Sequence, residues 1–382
     1  MERAKQIALL EELQGLKDNG LFFLDDEVAK SPITRYASQD RFDAEMRDIF
    51  RGVPIIACHA SELPEPGSFM TRELSGLPVL LTRDRDNTVH AFINVCRHRG
   101  ARLVREGSGC KNAFSCPYHA WTWGNNGTLR GVPHQKEGFP GLDRDAHALK
   151  RLPAMERYGL VWVIANPDAQ PDFDSFLTPL AGEFAWAEME TLAIAATDTI
   201  ERKANWKLLA EGGIEAYHFK VTHRDTIGPH FLDNLSSYET LGSHMRSVLP
   251  RSSLPELNGT DPAEWDIRTE ANVLYTVFPT SQFLVMQDHI GWIELIPLAP
   301  DLTRLRLTTL APKSEITPDK EEHWKRNHAI TSVTLNEDFE VNEEVQSGLL
   351  SGANESLTFG RYEGALDAFN REIERHLTPG AA

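Results

Sequence analysis

Two short patterns limit the possible folds of this chain more than any other part of it: Cys96-Arg97-His98 and, 17 residues later, Cys116-Pro117-Tyr118-His119. Two thiolates and two imidazoles can hold a tetrahedral zinc. They can also hold a [2Fe–2S] cluster in which a pair of His replaces a pair of Cys on one iron. Zinc fingers pair like with like on each turn. Here each turn offers one Cys and one His, which suits a binuclear cluster with both Cys on one iron and both His on the other. Gly100, Gly107, Gly109 and Pro117 supply loops able to wrap such a cluster.

The chain has 4 cysteines in 382 residues, and Cys58, Cys96, Cys110 and Cys116 all lie in one short segment. Clustered Cys beside His points to metal before disulfides. Cys58-His59 falls outside the spacing and reads as a buried thiol beside a surface imidazole; Cys110 reads as a small loop or core thiol. The surrounding texture is β. Pro78–Thr82, Ala91–Val95 and Leu160–Ile164 are short, partly β-branched runs parted by turn signals such as Gly124-Asn125-Asn126-Gly127.

A formal charge of −17 disfavours nucleic acid and anionic membrane surfaces as partners. No apolar run approaches the ~20 residues that span a bilayer. The charged amphipathic start does not read as a signal peptide, so a cytoplasmic protein is expected. Residues 1–50 read as a helical segment, with Ile7, Leu9, Leu10, Leu13 and Leu16 at helical spacing. Residues 51–170 read as a small β domain, and a Pro/Asp-rich junction from Asn166 to Asp172 closes it. Residues 171–382 read as a larger α+β body, with a helix-like stretch near 205–222, strands from about 270 to 311, and long helices near 318–350 and 361–377.

A cluster that passes single electrons needs something to feed. Glu215, His218 and His223 form E-x-x-H-x-x-x-x-H. Two His and one carboxylate make the facial triad of non-heme Fe(II) oxygenases, with positions open for dioxygen and substrate. On a regular helix, residues five apart diverge by about 140°, so the pair predicts irregular helix geometry between His218 and His223. The third ligand should be acidic and come from another segment. His328, Thr331, Leu335, Asp338, Asn342, Val345 and Leu349 form an inward stripe on the helix near 318–350. Asp338 is the carboxylate on that stripe, whereas Glu337, Glu340 and Glu344 read as solvated charge. Phe278, Phe283 and Trp292 suit an apolar or aromatic substrate, or else the core.

Together these motifs resemble the catalytic α subunits of Rieske non-heme iron oxygenases, of the shorter α-only type. Asn94–Ala101 and Cys116–Trp121 look like the two cluster loops, and Asn205-Trp206-Lys207 leading to Glu215, His218 and His223 looks like the iron helix. Phe278-Pro279, Ile296-Pro297-Leu298 and Glu337-Asp338 leading to Gln346 follow the C-terminal half. The resemblance implies a small all-β Rieske domain inserted into an α+β, helix-grip-like catalytic domain. It implies that Cys96 and Cys116 bind one cluster iron, His98 and His119 the other, and His218, His223 and Asp338 a mononuclear Fe(II). Glu215 matches the acidic bridge between a cluster histidine of a neighbouring subunit and an iron-ligand histidine, which implies a homotrimer with inter-subunit electron transfer.

Two positions depart from common patterns of the family. Gly212 stands where many members carry Asn, and Glu215 stands where many ring dioxygenases carry Asp; Glu there is similar to members acting on quaternary amines and to related monooxygenases. The implied activity is terminal oxygenation with O2, hydroxylating or oxidatively N- or O-dealkylating a small apolar or aromatic substrate, as in demethylases and aromatic catabolism. Ring cis-dihydroxylation and quaternary-amine monooxygenation are the alternatives. No dinucleotide-binding glycine fingerprint or plant-type cysteine spacing is present, so NAD(P)H would act only indirectly, through a separate ferredoxin or reductase.

Overall fold

Residues 1–105, 107–170 and 172–377 are described in the computed structural model of the chain. Pro171 of the expected junction and residues 378–382 lie outside the described residues. The chain divides into two compact units, Phe50–Phe173 and the combination of Met1–Ile49 with Asp174–Ala382.

Short antiparallel sheets make up the smaller unit. One has five strands in the order Arg151–Leu152, Val89–Ile93, Leu77–Arg83, Ser68–Leu74, Ser108–Cys110. Leu160–Val163 is buried along its whole length and sits between Ala154–Arg157 and Ile55–His59, as an unbroken apolar run should. Two hydrophobic clusters fill the unit. One gathers Ile55, Leu81 and Val161; the other gathers Phe69, Phe92, Trp121 and Trp123 around the buried thiols of Cys96 and Cys116. His59 corrects the expectation of a surface imidazole. It is buried, and its Nδ1 caps the turn at Ala60–Glu62. Cys110 is exposed on an edge strand.

The larger unit begins with helix α1 (Arg3–Asp18), which buries Leu9, Leu10 and Leu13 at the expected spacing. Its centre is a seven-stranded antiparallel sheet of β1 (Leu192–Arg202), β2 (Ser237–Leu241), β3 (His244–Pro250), β4 (Ala271–Val277), β5 (Ser281–Val285), β6 (Ile290–Ala299) and β7 (Leu302–Pro312), in the spatial order β1-β7-β6-β5-β4-β3-β2. Alternation gives the sheet two faces. Tyr275, Phe283 and Trp292 share one face, where Phe283 stacks on Trp292 at 5.6 Å. Leu249, Asn272, Leu274, Leu284 and Ile293 belong to the other. The 29-residue helix Glu321–Leu349 packs across β1 and β7, and its His328 bonds Thr309 and Asp198.

The helix-like stretch near 205–222 is two short helices: α2 (Trp206–Glu211) and α3 (Phe219–Thr222). The long helix is then α4 and the C-terminal helix Gly364–Leu377 is α5. Asn205 caps α2, its Oδ1 accepting from the Lys207 N–H, and its Nδ2 bonds the carbonyls of Tyr36 and Pro300. Behind α2 lies a fully buried ion pair in which Lys207 Nζ reaches the two oxygens of Glu45 at 2.7 and 2.8 Å. No helix among the described residues is long and apolar enough to cross a membrane.

Candidate iron centres

In the smaller unit the two Cys–His loops are built alike. The Cys96 N–H donates to the Ala101 carbonyl and Gly100 donates back to Cys96. Cys116 donates to Trp121, and Ala120 donates back to Cys116, with the same sequence offsets. The fifth residue of each loop has positive φ, Gly100 at +79° and Ala120 at +56°. Glycine takes that conformation freely, whereas Ala120 is strained there. Asn94 clamps the base of the first loop by accepting from the Val104 N–H at 2.9 Å and donating to its carbonyl at 2.8 Å.

Each loop sinks its thiol and lifts its imidazole. Cys96 and Cys116 are buried, while His98 is half-buried and His119 exposed. The two imidazoles approach to 4.8 Å between centroids, and His98 stacks on Trp121. His98 Nδ1 is buried with no hydrogen-bond partner. Burial, helped by His119 and Arg99, lowers the pKa of His98 and so favours the neutral form that a metal needs. A pair of buried thiols beside an orphaned imidazole nitrogen fits a Rieske [2Fe–2S] cluster, with the sulfurs inward and the histidines outward.

In the larger unit the break in the helix falls before His218, not between the two histidines as expected. Gly212 and Gly213 end α2, and a Cβ on Gly213 would come within 2.7 Å of Gln282 Oε1. His218 and His223 are the two cap residues of α3, joined by ordinary helical bonds from Thr222 to His218 and from His223 to Phe219. They converge because His223 already leaves helical geometry, at φ −99° and ψ 24°. Gly228 then lies against the carbonyls of Phe219 and His223, where a Cβ would be only 2.9 and 2.8 Å away. A Cβ on Gly212 would meet Asn342 Nδ2 at 3.0 Å, so the amide of α4 fills the space beside that glycine.

His218, His223 and Asp338 each turn one ligand atom to a common point, all within 4.8 Å of one another. Asp338 Oδ1 lies 3.3 Å from His218 Nε2 and 3.0 Å from His223 Nε2. The opposite nitrogens are held by carboxylates: His218 Nδ1 by Glu215, and His223 Nδ1 by Glu337 at 2.7 Å. Glu337 therefore corrects the reading of solvated charge, since Thr226 also donates to it at 2.7 Å. Burial opposes charge on His218, yet Asp338 and Glu215 outweigh it and raise its pKa to about 10. Burial likewise opposes the ionised form of Asp338, but the two imidazoles hold its carboxyl below the usual range. Neutral His ligands oriented by outer carboxylates, plus one anionic oxygen, suit a divalent iron.

Two hollows adjoin this point. The first holds about 710 Å³ of empty space, counting its open mouth, and is lined by His223 and Asp338 with Phe219, Phe231, Leu274, Leu284 and other mostly apolar residues. Phe278, Phe283 and Trp292 are absent from its lining and belong to the core. The second is mixed: Glu211, Glu215, His218 and Glu363 share its walls with Leu208, Val345 and Phe359.

The sequence family described as ring hydroxylating alpha subunit (catalytic domain) matches residues 189–379, and the Rieske [2Fe-2S] domain matches residues 53–154. The glycine betaine monooxygenase oxygenase subunit of Chromohalobacter salexigens is 35% identical over 198 residues, which cover 52% of this chain and 43% of that protein. The chain thus spans less than half the length of that relative. The carnitine monooxygenase oxygenase subunit of Acinetobacter pittii is 27% identical over 337 residues, covering 84% of this chain and 85% of that one. Among solved structures, the apo form of the quaternary ammonium Rieske monooxygenase CntA aligns with a TM-score of 0.76 at 25% identity, over 94% of this chain and 98% of that one. Naphthalene 1,2-dioxygenase from Rhodococcus shares the fold, with a TM-score of 0.78 at 18% identity over 98% of this chain and 99% of that one.

Proposed function

Since the chain belongs to the family of ring-hydroxylating α subunits, we propose that it is the terminal oxygenase of a multicomponent Rieske system. It uses O2, with electrons from a separate ferredoxin or reductase, to hydroxylate or oxidatively N- or O-dealkylate a small organic molecule. The observation that carries this reading is the convergence of His218, His223 and Asp338 at the edge of an apolar cavity. Quaternary-amine monooxygenation is a second reading, favoured by the names of the glycine betaine and carnitine relatives.

Cys96, His98, Cys116 and His119 would hold the cluster, and His218, His223 and Asp338 the mononuclear iron. When bound, these groups would supply single electrons and a site for dioxygen. The chain's own residues prepare that chemistry. Glu215 and Glu337 keep the Nδ1 protons of the two histidines in place and so aim both Nε2 atoms at one point. The apolar lining excludes water from the substrate beside Asp338. Glu215 also lines the second hollow, beside His218 and two further acids, which supports its role as the acidic bridge to a cluster on another subunit of a homotrimer.

Anaerobically purified protein should contain acid-labile sulfide and about three irons per chain, and dithionite-reduced protein should incorporate labelled dioxygen into one member of an anilide, aryl-ether, amine and aromatic-acid panel. Absence of labile sulfide after reconstitution would end the reading.

A further inference from the structure

The apolar cavity beside His223 contains one polar group whose orientation is dictated from behind. Asn272, on β4, lines it, and its Oδ1 accepts a 2.8 Å hydrogen bond from Arg251 Nη2. A guanidinium has donors only, so the amide cannot be turned round: the oxygen belongs to Arg251 and the Nδ2 hydrogens are left to the cavity. No acceptor for them is found among the described residues. The other amide in the wall, Gln282, donates Nε2 to the Ala210 carbonyl at 2.8 Å.

Arg251 also places positive charge behind this wall. Its guanidinium lies over Phe231, 6.0 Å from the ring centroid, and its Nε is buried without a partner. Glu270, which also accepts from Ser253, partly offsets that charge. Phe231 and Phe219 meet edge to face at 5.4 Å and are the aromatic rings of the lining, which has no Trp or Tyr. A quaternary ammonium is ordinarily held by several aromatic faces or an uncommitted carboxylate. Here one of the two rings is already covered by a guanidinium, and the carboxylate of the lining, Asp338, is committed to His218 and His223.

We infer that the cavity takes an apolar substrate, aromatic or branched aliphatic, carrying a carboxylate or carbonyl acceptor for Asn272 Nδ2, and that it disfavours fixed cations. This deepens the oxygenase reading and rests on it. A bound acceptor would complete the hydrogen bonding of an amide already held in place by Arg251, while an apolar substrate without one would cover that donor and leave it unpaired.

The test is calorimetric binding of four matched probes to the iron-loaded protein without oxygen: 4-methoxybenzoate, 4-methoxybenzamide, anisole and 4-methoxyphenyl-trimethylammonium. The benzoate or the benzamide should bind at least about tenfold tighter than anisole, and the ammonium probe weakest; which of the two leads tells carboxylate from carbonyl. Asn272→Leu should erase the preference over anisole, and Asn272→Asp should move the preference toward the ammonium probe. Equal binding of all four, tightest binding of the ammonium probe, or no binding at all overturns the inference, even if the leucine variant fails to fold. Labelled-dioxygen incorporation is scored separately. Incorporation without acceptor preference sinks only the cavity assignment, and acceptor preference without incorporation sinks only the oxygenase reading.

Discussion

Glu337 Oε2 lies 2.7 Å from His223 Nδ1. The next residue on α4, Asp338, faces Nε2 of the same ring at 3.0 Å. Consecutive carboxylates thus grip both nitrogens of one imidazole, one orienting it and the other sharing its ligand point. Removing the orienting partner should loosen the ring without deleting a ligand. Glu337→Ala is expected to lower Fe(II) affinity about 10- to 100-fold while leaving the cluster spectrum intact, and Glu337→Gln, which can still accept, to recover most of it. Iron content after a timed chelator challenge checks this; an alanine variant that holds iron as tightly as the parent would remove Glu337 from the site.

Asp338→Ala should act more severely. It deletes the anionic ligand atom, so the mononuclear iron and turnover should be lost while the red-brown colour of the cluster persists, because Cys96 and Cys116 belong to a different unit. Metal analysis beside a visible spectrum separates the outcomes. Loss of both iron pools together would contradict the assignment.

How far the sequence reached depends on the kind of signal. The two Cys–His loops were legible because the Cys and the His of each lie within a few residues, so spacing alone brings them together. Asp338 was legible because it sits on an apolar helical stripe. Glu337 was not: one residue along, it turns about 100° away and resembles any exposed acid, and only the loop after α3 brings His223 to it. The two histidines were found, but the break was misplaced, because pattern cannot show that His218 starts a helix and His223 ends it. Asn272 carried no signal at all, since a polar residue in a strand reads as solvent-facing until the sheet's other face is known to be a cavity wall.

Glu215→Gln separates electron delivery from metal binding. The carboxylate accepts from His218 Nδ1 and from the backbone N–H groups of Tyr217 and His218. Gln can keep an acceptor for one of these but cannot carry the charge. Both metal centres should remain, and rapid-mixing oxidation of the reduced cluster in the presence of substrate should slow by tenfold or more (roughly the lower end of the outer-shell range). An unchanged rate would take Glu215 out of the path.

The raised pKa of His218 gives metal loading a pH dependence. Without metal, His218 keeps its proton up to about pH 10 because Asp338 and Glu215 outweigh burial. Iron must displace that proton, so Fe(II) affinity should climb about tenfold per pH unit between pH 6 and 8 for each proton released. Titration calorimetry in buffers of different ionisation enthalpy counts the protons, and zero release at pH 7 would contradict the arrangement. The sign for stability is opposite. In the metal-free protein this contribution is fully present below the unfolded value of about 6.5 and fades as pH rises through about 10.

The buried pair behind α2 predicts an asymmetry between its partners. Glu45 accepts from Lys207 at 2.7 Å, from Arg41 Nε at 2.8 Å and from Trp206 Nε1 at 2.9 Å. The hydrogen bonds of Lys207 Nζ go to Glu45, and weaker support for its charge comes from Glu211 and from the rings of Trp206 and Tyr36. Glu45→Ala therefore strands a buried ammonium and should cost about 3–5 kcal/mol. Lys207→Met leaves the carboxylate with two donors and should cost clearly less. The double variant Glu45→Leu/Lys207→Met removes both charges and should recover part of the loss. Thermal unfolding of the catalytic unit, followed by tryptophan fluorescence, ranks the three; if Lys207→Met proved as damaging as Glu45→Ala, Arg41 and Trp206 would not be sustaining the carboxylate.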